Sequence, residues 1–183
     1  MKVKKRMTKL ILPFDGKTPK IHESSFIAEN TNIIGDVEIG EDSSIWYGCT
    51  LRADVNELRI GKRTNIQDGS VIHLATHGQG TYIGDDVSVG HMALLHACTL
   101  EDGAFVGMKA IVMDGARVET GAMVAAGAMV TPGKVVKAGS LWAGSPAKYF
   151  RDLTTADEEM LKWLVPHYMR LAKKHKQEAT DFT

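Results

Sequence analysis

Two cysteines in 183 residues, Cys49 and Cys98, are too few for a disulfide framework, and no CxxC spacing offers a structural zinc or redox pair. Both sit among apolar or small residues and read as small buried hydrophobes. Net charge is absent as well. The 22 basic and 22 acidic side chains cancel to +0, which removes the positive field on which non-specific nucleic-acid binding runs. The one basic cluster, residues 2–6, is short and terminal and reads as a solvated end. No window holds the roughly 20 consecutive apolar residues of a membrane span. Leu10, Ile11 and Leu12 follow the basic cluster, but Pro13 and Asp15 cut the run off before a secretory core can form. The expectation is a cytoplasmic chain with no membrane and no nucleic-acid partner. Its length suits one domain with a substantial core and a small appendage.

What the sequence does contain is a period of six. Aliphatic residues recur at Ile21, Ile27, Ile33, Ile39, Ile45 and Leu51, resume at Ile60, Ile66 and Ile72, and resume again at Ile83, Val89 and Leu95. A last series runs from Leu100 through Val106, Val112, Val118, Val124, Val130 and Val136 to Trp142. Four positions after most of these stands something small, such as Ser43, Cys49, Thr64, Ser70, Ala104, Ala110 or Ala122. This period fits neither the α-helix nor hairpin alternation. It fits a coil of three short parallel strands, 18 residues per turn. The aliphatic residue points into a triangular prism, the small one packs near the corner, and glycine or asparagine takes the tight backbone positions.

Two interruptions leave this wall. A small bulge is expected at 55–59 and an extruded loop at 74–82, the kind of insertion that solenoids carry on a binding face. The repeat ends near Pro146, after which Thr155 and Glu158 have capping-box spacing and residues 157–159 give an acidic first turn. Met160, Leu161, Leu164, Tyr168, Leu171 and Ala172 form an apolar stripe through about Lys176, with Pro166 expected to kink or split the helix. The division is an N-terminal arm at 1–20, a β-helix at 21–147 and a C-terminal helical segment at 148–183, the helix lying along the outside of the prism.

Three of the seven histidines fall where the repeat makes them comparable. His73 follows core position Ile72 and His96 follows core position Leu95, so they share a phase and can lie on one wall of nearby coils. His91, two residues past Val89, has a corner phase and projects elsewhere, so two subunits side by side would be needed to bring all three together. Three imidazoles with an open fourth position make a catalytic zinc arrangement; backbone-bonded surface histidines are the simpler reading of the same spacing. His22, His167 and His175 lack this context and read as surface residues. Around the three stand Arg52 and Asp54, two apart on one side of a strand, and Gln67 and Asp68. Gln67 shares the phase of His73 and could orient a bound water. Arginine–carboxylate pairs at a subunit contact would fix register, or would be plain structural salt bridges.

These segments resemble the gamma-class carbonic anhydrase family over nearly the whole chain. The marks are Trp46-Tyr-Gly-Cys-Thr-Leu-Arg52-Ala-Asp54, Asn65-Ile-Gln67-Asp68-Gly-Ser-Val-Ile-His73, Val89-Gly-His91, Leu95-His96-Ala-Cys98 and Ala143-Gly-Ser-Pro-Ala147. The resemblance implies a left-handed parallel β-helix of hexapeptide repeats with a C-terminal α-helix, assembled as a homotrimer. It implies one metal per subunit interface, zinc with iron(II) or cobalt as alternatives, held by His73 and His96 of one subunit and His91 of the next. Gln67 would position the water on the metal, and Arg52, Asp54 and Asp68 would form the interfacial network. The implied reaction is hydration of carbon dioxide to bicarbonate.

The departures bear on proton transfer. The most active archaeal members carry a glutamate directly after the Arg-x-Asp pattern, where this chain has Val55. They also carry a longer acidic loop past the first ligand, where this chain has Leu74-Ala-Thr-His77-Gly-Gln-Gly80. The stretch from Trp163 to Tyr168 does not match the tyrosine and asparagine that relatives bring from the C-terminal region. His77 is the candidate replacement for the missing shuttle. Two rival functions are a metal-binding trimeric scaffold without hydration activity and an acetyl-coenzyme A-dependent acyltransferase with a histidine base.

Overall fold

The computed structural model describes residues 9–181, with side chains through 178; the basic cluster at 2–6 lies outside the described residues. The six-residue period is realised as a three-walled parallel β-helix followed by a single α-helix at Thr155–Asp181. One wall stacks Val71–His73, Leu94–His96, Ile111–Val112 and Met129–Val130; the next stacks Thr81–Ile83, Thr99–Leu100, Arg117–Val118 and Val135–Val136. These are the first and second walls. The third runs from Phe26–Ile27 through Ser44–Ile45, Asn65–Ile66, Ser88–Val89, Phe105–Val106 and Met123–Val124 to Ser140–Ala143. Where the repeat is unbroken, register partners stand 18 positions apart, as Ile111 with Met129 and Arg117 with Val135.

The aliphatic series forms the core, fully buried from Ile33 to Val136 and partly open at Ile21, Ile27 and Trp142 near the two ends. The small corner residues are buried too, and their polar atoms find partners, as buried hydroxyls must. Ser43 Oγ donates to the Gly61 carbonyl at 2.7 Å, Thr64 Oγ1 to Gly84 at 2.8 Å and Ser70 Oγ to Gly90 at 3.1 Å. Each bond ties one coil to the next. Leu10–Leu12, placed in the N-terminal arm by the sequence, adds a strand parallel to Asn32–Ile39.

At the first interruption the strand Thr50–Ile60 carries four residues, 54–57, opposite Asp36 alone, between the register pairs Gly35–Ala53 and Val37–Leu58 of the neighbouring strand Asn32–Ile39. The same strand pairs with Val71–His73 at its start and Thr81–Ile83 at its end. Two expectations are corrected. The capping box is Thr154 with Asp157, not Thr155 with Glu158. The Thr154 carbonyl accepts the first helical bond from Glu158 N, its Oγ1 accepts from Asp157 N, and the Asp157 carboxylate accepts from Thr154 N and Oγ1. The helix is also unbroken at Pro166. Leu161 and Val165 before it and Tyr168, Leu171 and Ala172 after it turn toward the prism, so tertiary packing holds both halves in one helix. Between Pro146 and the helix, Lys148–Asp152 forms a strand antiparallel to Ser140–Ala143.

Candidate metal centre

The register that builds the first wall also pairs two of its histidines. His73 ends one strand and His96 ends the next, opposite each other in register. Their rings face, with His73 Nδ1 3.2 Å from His96 Nε2. Behind each ring stands a carboxylate: His73 Nε2 donates to Asp54 Oδ1 at 3.0 Å, and His96 Nδ1 donates to Asp114 Oδ1 at 2.7 Å. Those two bonds select the tautomers. When both rings are neutral, the one proton of each is committed outward and the facing nitrogens are both lone pairs. Two acceptors in contact repel unless a proton or a metal ion lies between them. Two ligand nitrogens on one tetrahedral zinc, each about 2.0–2.1 Å from it, stand roughly 3.3 Å apart. The donor set therefore fits a metal in spacing, in tautomer and in the carboxylate behind each imidazole, the usual arrangement around metal-bound histidine.

Asp54 is held by its neighbours. Burial opposes its ionisation, but hydrogen bonds from His73 and Arg52 outweigh that and keep its carboxyl below the usual range. The Arg52 guanidinium pairs with the same carboxylate, from the same side of one strand. Beyond Asp54 opens a polar cleft of about 260 Å³ shared with Asp36, Asn56 and Glu57.

The third histidine is at the other edge of the wall. His91 lies in the turn between the third and first walls, and its Nδ1 is 2.8 Å from Asp68 Oδ2 on the preceding coil. Gln67 shares that corner and is buried. Its amide nitrogen donates to Asn65 Oδ1 at 3.0 Å, and Asn65 in turn donates to Ser88 Oγ at 2.7 Å, a chain that fixes the amide with its carbonyl oxygen free to accept. Among the described residues, no three potential ligands cluster within one chain. The predicted residues thus fall into two separate clusters: His73, His96, Arg52 and Asp54 on one edge, His91, Gln67 and Asp68 on the other. His77 belongs to neither by contact. It is exposed in a loop clipped down by Asn56, which donates to the Gly78 carbonyl, and by Gln79, which donates to that of Ala97.

Asp114 is the residue that the sequence reading missed. It lies one coil beyond His96, and only the pairing of Leu94–Leu95 with Ile111–Val112 brings it there. A second miss is His175, read as a surface residue. It accepts or donates a 2.9 Å bond with the Tyr47 hydroxyl and packs against the rings of Trp46 and Phe26, fastening the helix to the third wall.

Between the two clusters the first wall is apolar on its outside. Val71, Leu94, Ile111 and Met129 are successive register partners. Val71 and Leu94 are about 40% exposed, and Met92 and Met108 at the adjoining corner are more than half exposed. The outward ladder of the second wall, by contrast, carries Tyr82, Thr99, Arg117 and Val135. A cavity of about 640 Å³ lies elsewhere, between the helix and the third wall, and holds none of these residues. No helix among the described residues is long and apolar enough to cross a membrane.

Residues 18–53 match the family described as bacterial transferase hexapeptide (six repeats). The chain is 46% identical over 167 residues to gamma carbonic anhydrase 2, mitochondrial, of Arabidopsis thaliana, an alignment covering 88% of this chain but only 60% of the plant protein's length. It is 44% identical over 167 residues to a carbonic anhydrase of Geobacillus kaustophilus, covering 91% of both. Among solved structures, a Bacillus cereus protein named as an acetyltransferase superposes with a TM-score of 0.91 at 38% identity, covering 93% of this chain and 98% of that one.

Proposed function

The chain belongs to the hexapeptide-repeat β-helix superfamily that includes both gamma carbonic anhydrases and acetyltransferases, and from that premise we propose that it is a homotrimer holding a divalent metal at each subunit interface and hydrating carbon dioxide there. The observation that carries the reading is the facing pair of imidazole nitrogens at 3.2 Å, each ring bonded on its other nitrogen to a carboxylate. In the proposed assembly, the corner with His91, Gln67 and Asp68 in one copy meets the corner with His73 and His96 in the next. Half-sites on opposite edges of one wall call for head-to-tail contacts, which form a ring where the rotation between copies closes. The apolar ladder between them supplies the surface such a contact buries.

A divalent metal bound there, zinc in the first instance with iron(II) or cobalt as alternatives, supplies Lewis acidity that brings the pKa of a water toward neutrality. The chain's own residues do the rest. Asp54 and Asp114 hold their histidines in the ligating tautomer, and Arg52 keeps Asp54 ionised and fixed. The Gln67 carbonyl oxygen accepts from, and so orients, the attacking water. Val71 and Leu94 give carbon dioxide an apolar wall with no competing hydrogen bonds. His77 takes the released proton to solvent from its exposed loop.

Acyl transfer from an acyl-coenzyme A is the second reading, favoured by the name and close superposition of the Bacillus cereus structure. The two separate in one experiment. Protein reconstituted anaerobically with zinc or with iron(II) is assayed by stopped-flow carbon dioxide hydration, with His91→Ala as control, and titrated calorimetrically with acetyl-coenzyme A. Metal-dependent hydration abolished in the control supports the main reading. One metal per chain with no rate above buffer would reduce it to a metal-binding trimer. Saturable acetyl-coenzyme A binding with no metal uptake would replace it with acyl transfer.

A further inference from the structure

Carboxylates on neighbouring coils of this prism pair with cations. Asp86 takes two bonds from Arg63 at 2.7 Å, Glu119 takes one from Lys137 at 2.9 Å, and Glu101 pairs with Arg117. Asp114 and Asp68 differ. Among the described residues each has a histidine as its only ion-pair partner, His96 at 2.7 Å for Asp114 and His91 at 2.8 Å for Asp68, although both side chains are close to half exposed. Of the two, only Asp114 stands behind a ring that faces a second imidazole. An exposed pair of this kind adds little to stability. What it does accomplish here is to fix which nitrogen of His96 carries the proton. In the neutral ring, with Nδ1–H committed to Asp114, Nε2 is left as the lone pair facing His73 Nδ1.

Asp54 does the same for His73 from the opposite side, so the two facing nitrogens are set by two carboxylates on different coils. The bond geometry also limits ring rotation. A His96 ring free to turn about its side-chain torsions would spread Nε2 over several ångströms of arc, and a metal would have to order it on binding. Preorganisation by an outer carboxylate removes that cost, and loss of such a partner typically weakens metal binding 10- to 100-fold.

We propose that Asp114 is a positioning residue of the metal centre, holding His96 in its ligating tautomer and orientation. The inference rests on the metal-site reading above, and its test is chosen to fail separately from it. The first arm is metal-free. Two-bond ¹H–¹⁵N correlation spectra at alkaline pH read the His96 tautomer in the wild-type protein and in Asp114→Ala. Nδ1–H is expected in the wild type and Nε2–H or a mixture in the variant. The second arm is zinc affinity by chelator competition, with oligomeric state checked by sedimentation. Asp114→Ala is expected to bind zinc 10- to 100-fold more weakly in an unchanged assembly. Asp114→Asn, which keeps an acceptor without the charge, is expected to recover most of the loss.

An unchanged tautomer in Asp114→Ala together with zinc affinity within about threefold of wild type would overturn the assignment. A wild-type protein that takes up no zinc but shows the tautomer change would sink the metal reading while leaving Asp114 as the residue that orients His96. Loss of affinity in Asp114→Ala that Asp114→Asn does not restore at all, with the tautomer unmoved, would mean a purely structural clip and would also overturn it.

Discussion

Gly35 is where one missing β-carbon lets two coils close. Its φ is +82°, and a β-carbon added there would stand 2.0 Å from the Ala53 carbonyl oxygen. Ala53 lies between Arg52 and Asp54, so relieving that clash would shift the strand that presents Asp54 to His73. Gly35→Ala is expected to destabilise the protein by about 1–3 kcal/mol from backbone strain alone, read by urea unfolding, and to weaken zinc binding as well. Nothing near Gly35 in the chain marks it among 18 glycines; its role comes from a residue 18 positions away. The cysteines, by contrast, are transparent in their apolar surroundings. Both are fully buried, and burial pushes the Cys49 thiol up to about 11 and the Cys98 thiol to about 12. At pH 8 neither presents appreciable thiolate, so a disulfide-exchange reagent should label neither until the protein unfolds. Rapid labelling of the native protein would contradict this burial. His73 and His96 were equally legible, since each follows a core aliphatic at the same step of the repeat. Asp54 was legible as a site residue but not as the partner of His73, and Asp114 was not legible at all, because they lie 19 and 18 positions from the rings they bond.

The C-terminal helix shows how an element's start is settled by its neighbours. Thr154 and Thr155 are both candidate caps in the sequence. Arg151, on the strand just before, donates to Asp157 at 2.6 and 3.1 Å and fixes the third position of the first turn, which selects Thr154. Thr154→Ala is expected to cost about 1 kcal/mol of helix stability. The Arg151 guanidinium, followed by the Thr154 hydroxyl and amide, holds the Asp157 carboxyl well below the ordinary carboxylate range. A folded-state pKa below the unfolded one, about 3.9 for aspartate, contributes stability that is fully present above the unfolded value and is lost as pH falls toward the depressed folded value. Helix docking should therefore weaken on acidification below about pH 4, and Asp157→Asn should flatten that part of the acid titration. Trp46 reports it, since its ring packs edge-on against Tyr168 of the helix at 5.5 Å and against His175 at 5.2 Å. An acid fluorescence profile identical in the variant would rule this contribution out. The apolar stripe that announces the helix was readable from spacing. Its continuity through Pro166 was not, because the wall against which both halves pack is built from distant coils.

At the scale of the whole molecule, the question is what covers the first wall. Val71, Leu94, Ile111 and Met129 make a solvent-facing apolar ladder, and the candidate half-sites stand on its two edges. If three copies meet there, one charge in the middle of the ladder should separate them. Leu94→Asp is expected to convert a trimer to monomers by sedimentation, leave the far-ultraviolet spectrum of the β-helix intact, and abolish tight zinc binding although no ligand is altered. A variant that remains trimeric and loads zinc normally would place the contact elsewhere. The sequence alone determined the β-helix, its core and the common phase of His73 and His96. A repeat writes burial into the chain at fixed intervals, and each coil contacts only its neighbours. Only the tertiary structure decided that Asp54 and Asp114 stand behind those two rings, that Gln67 and Asp68 share a corner with His91 instead, and that an apolar wall joins the two corners. Those relations depend on the register between coils and on the two interruptions, which change the number of residues per turn. A shift of one position there moves every side chain to another face.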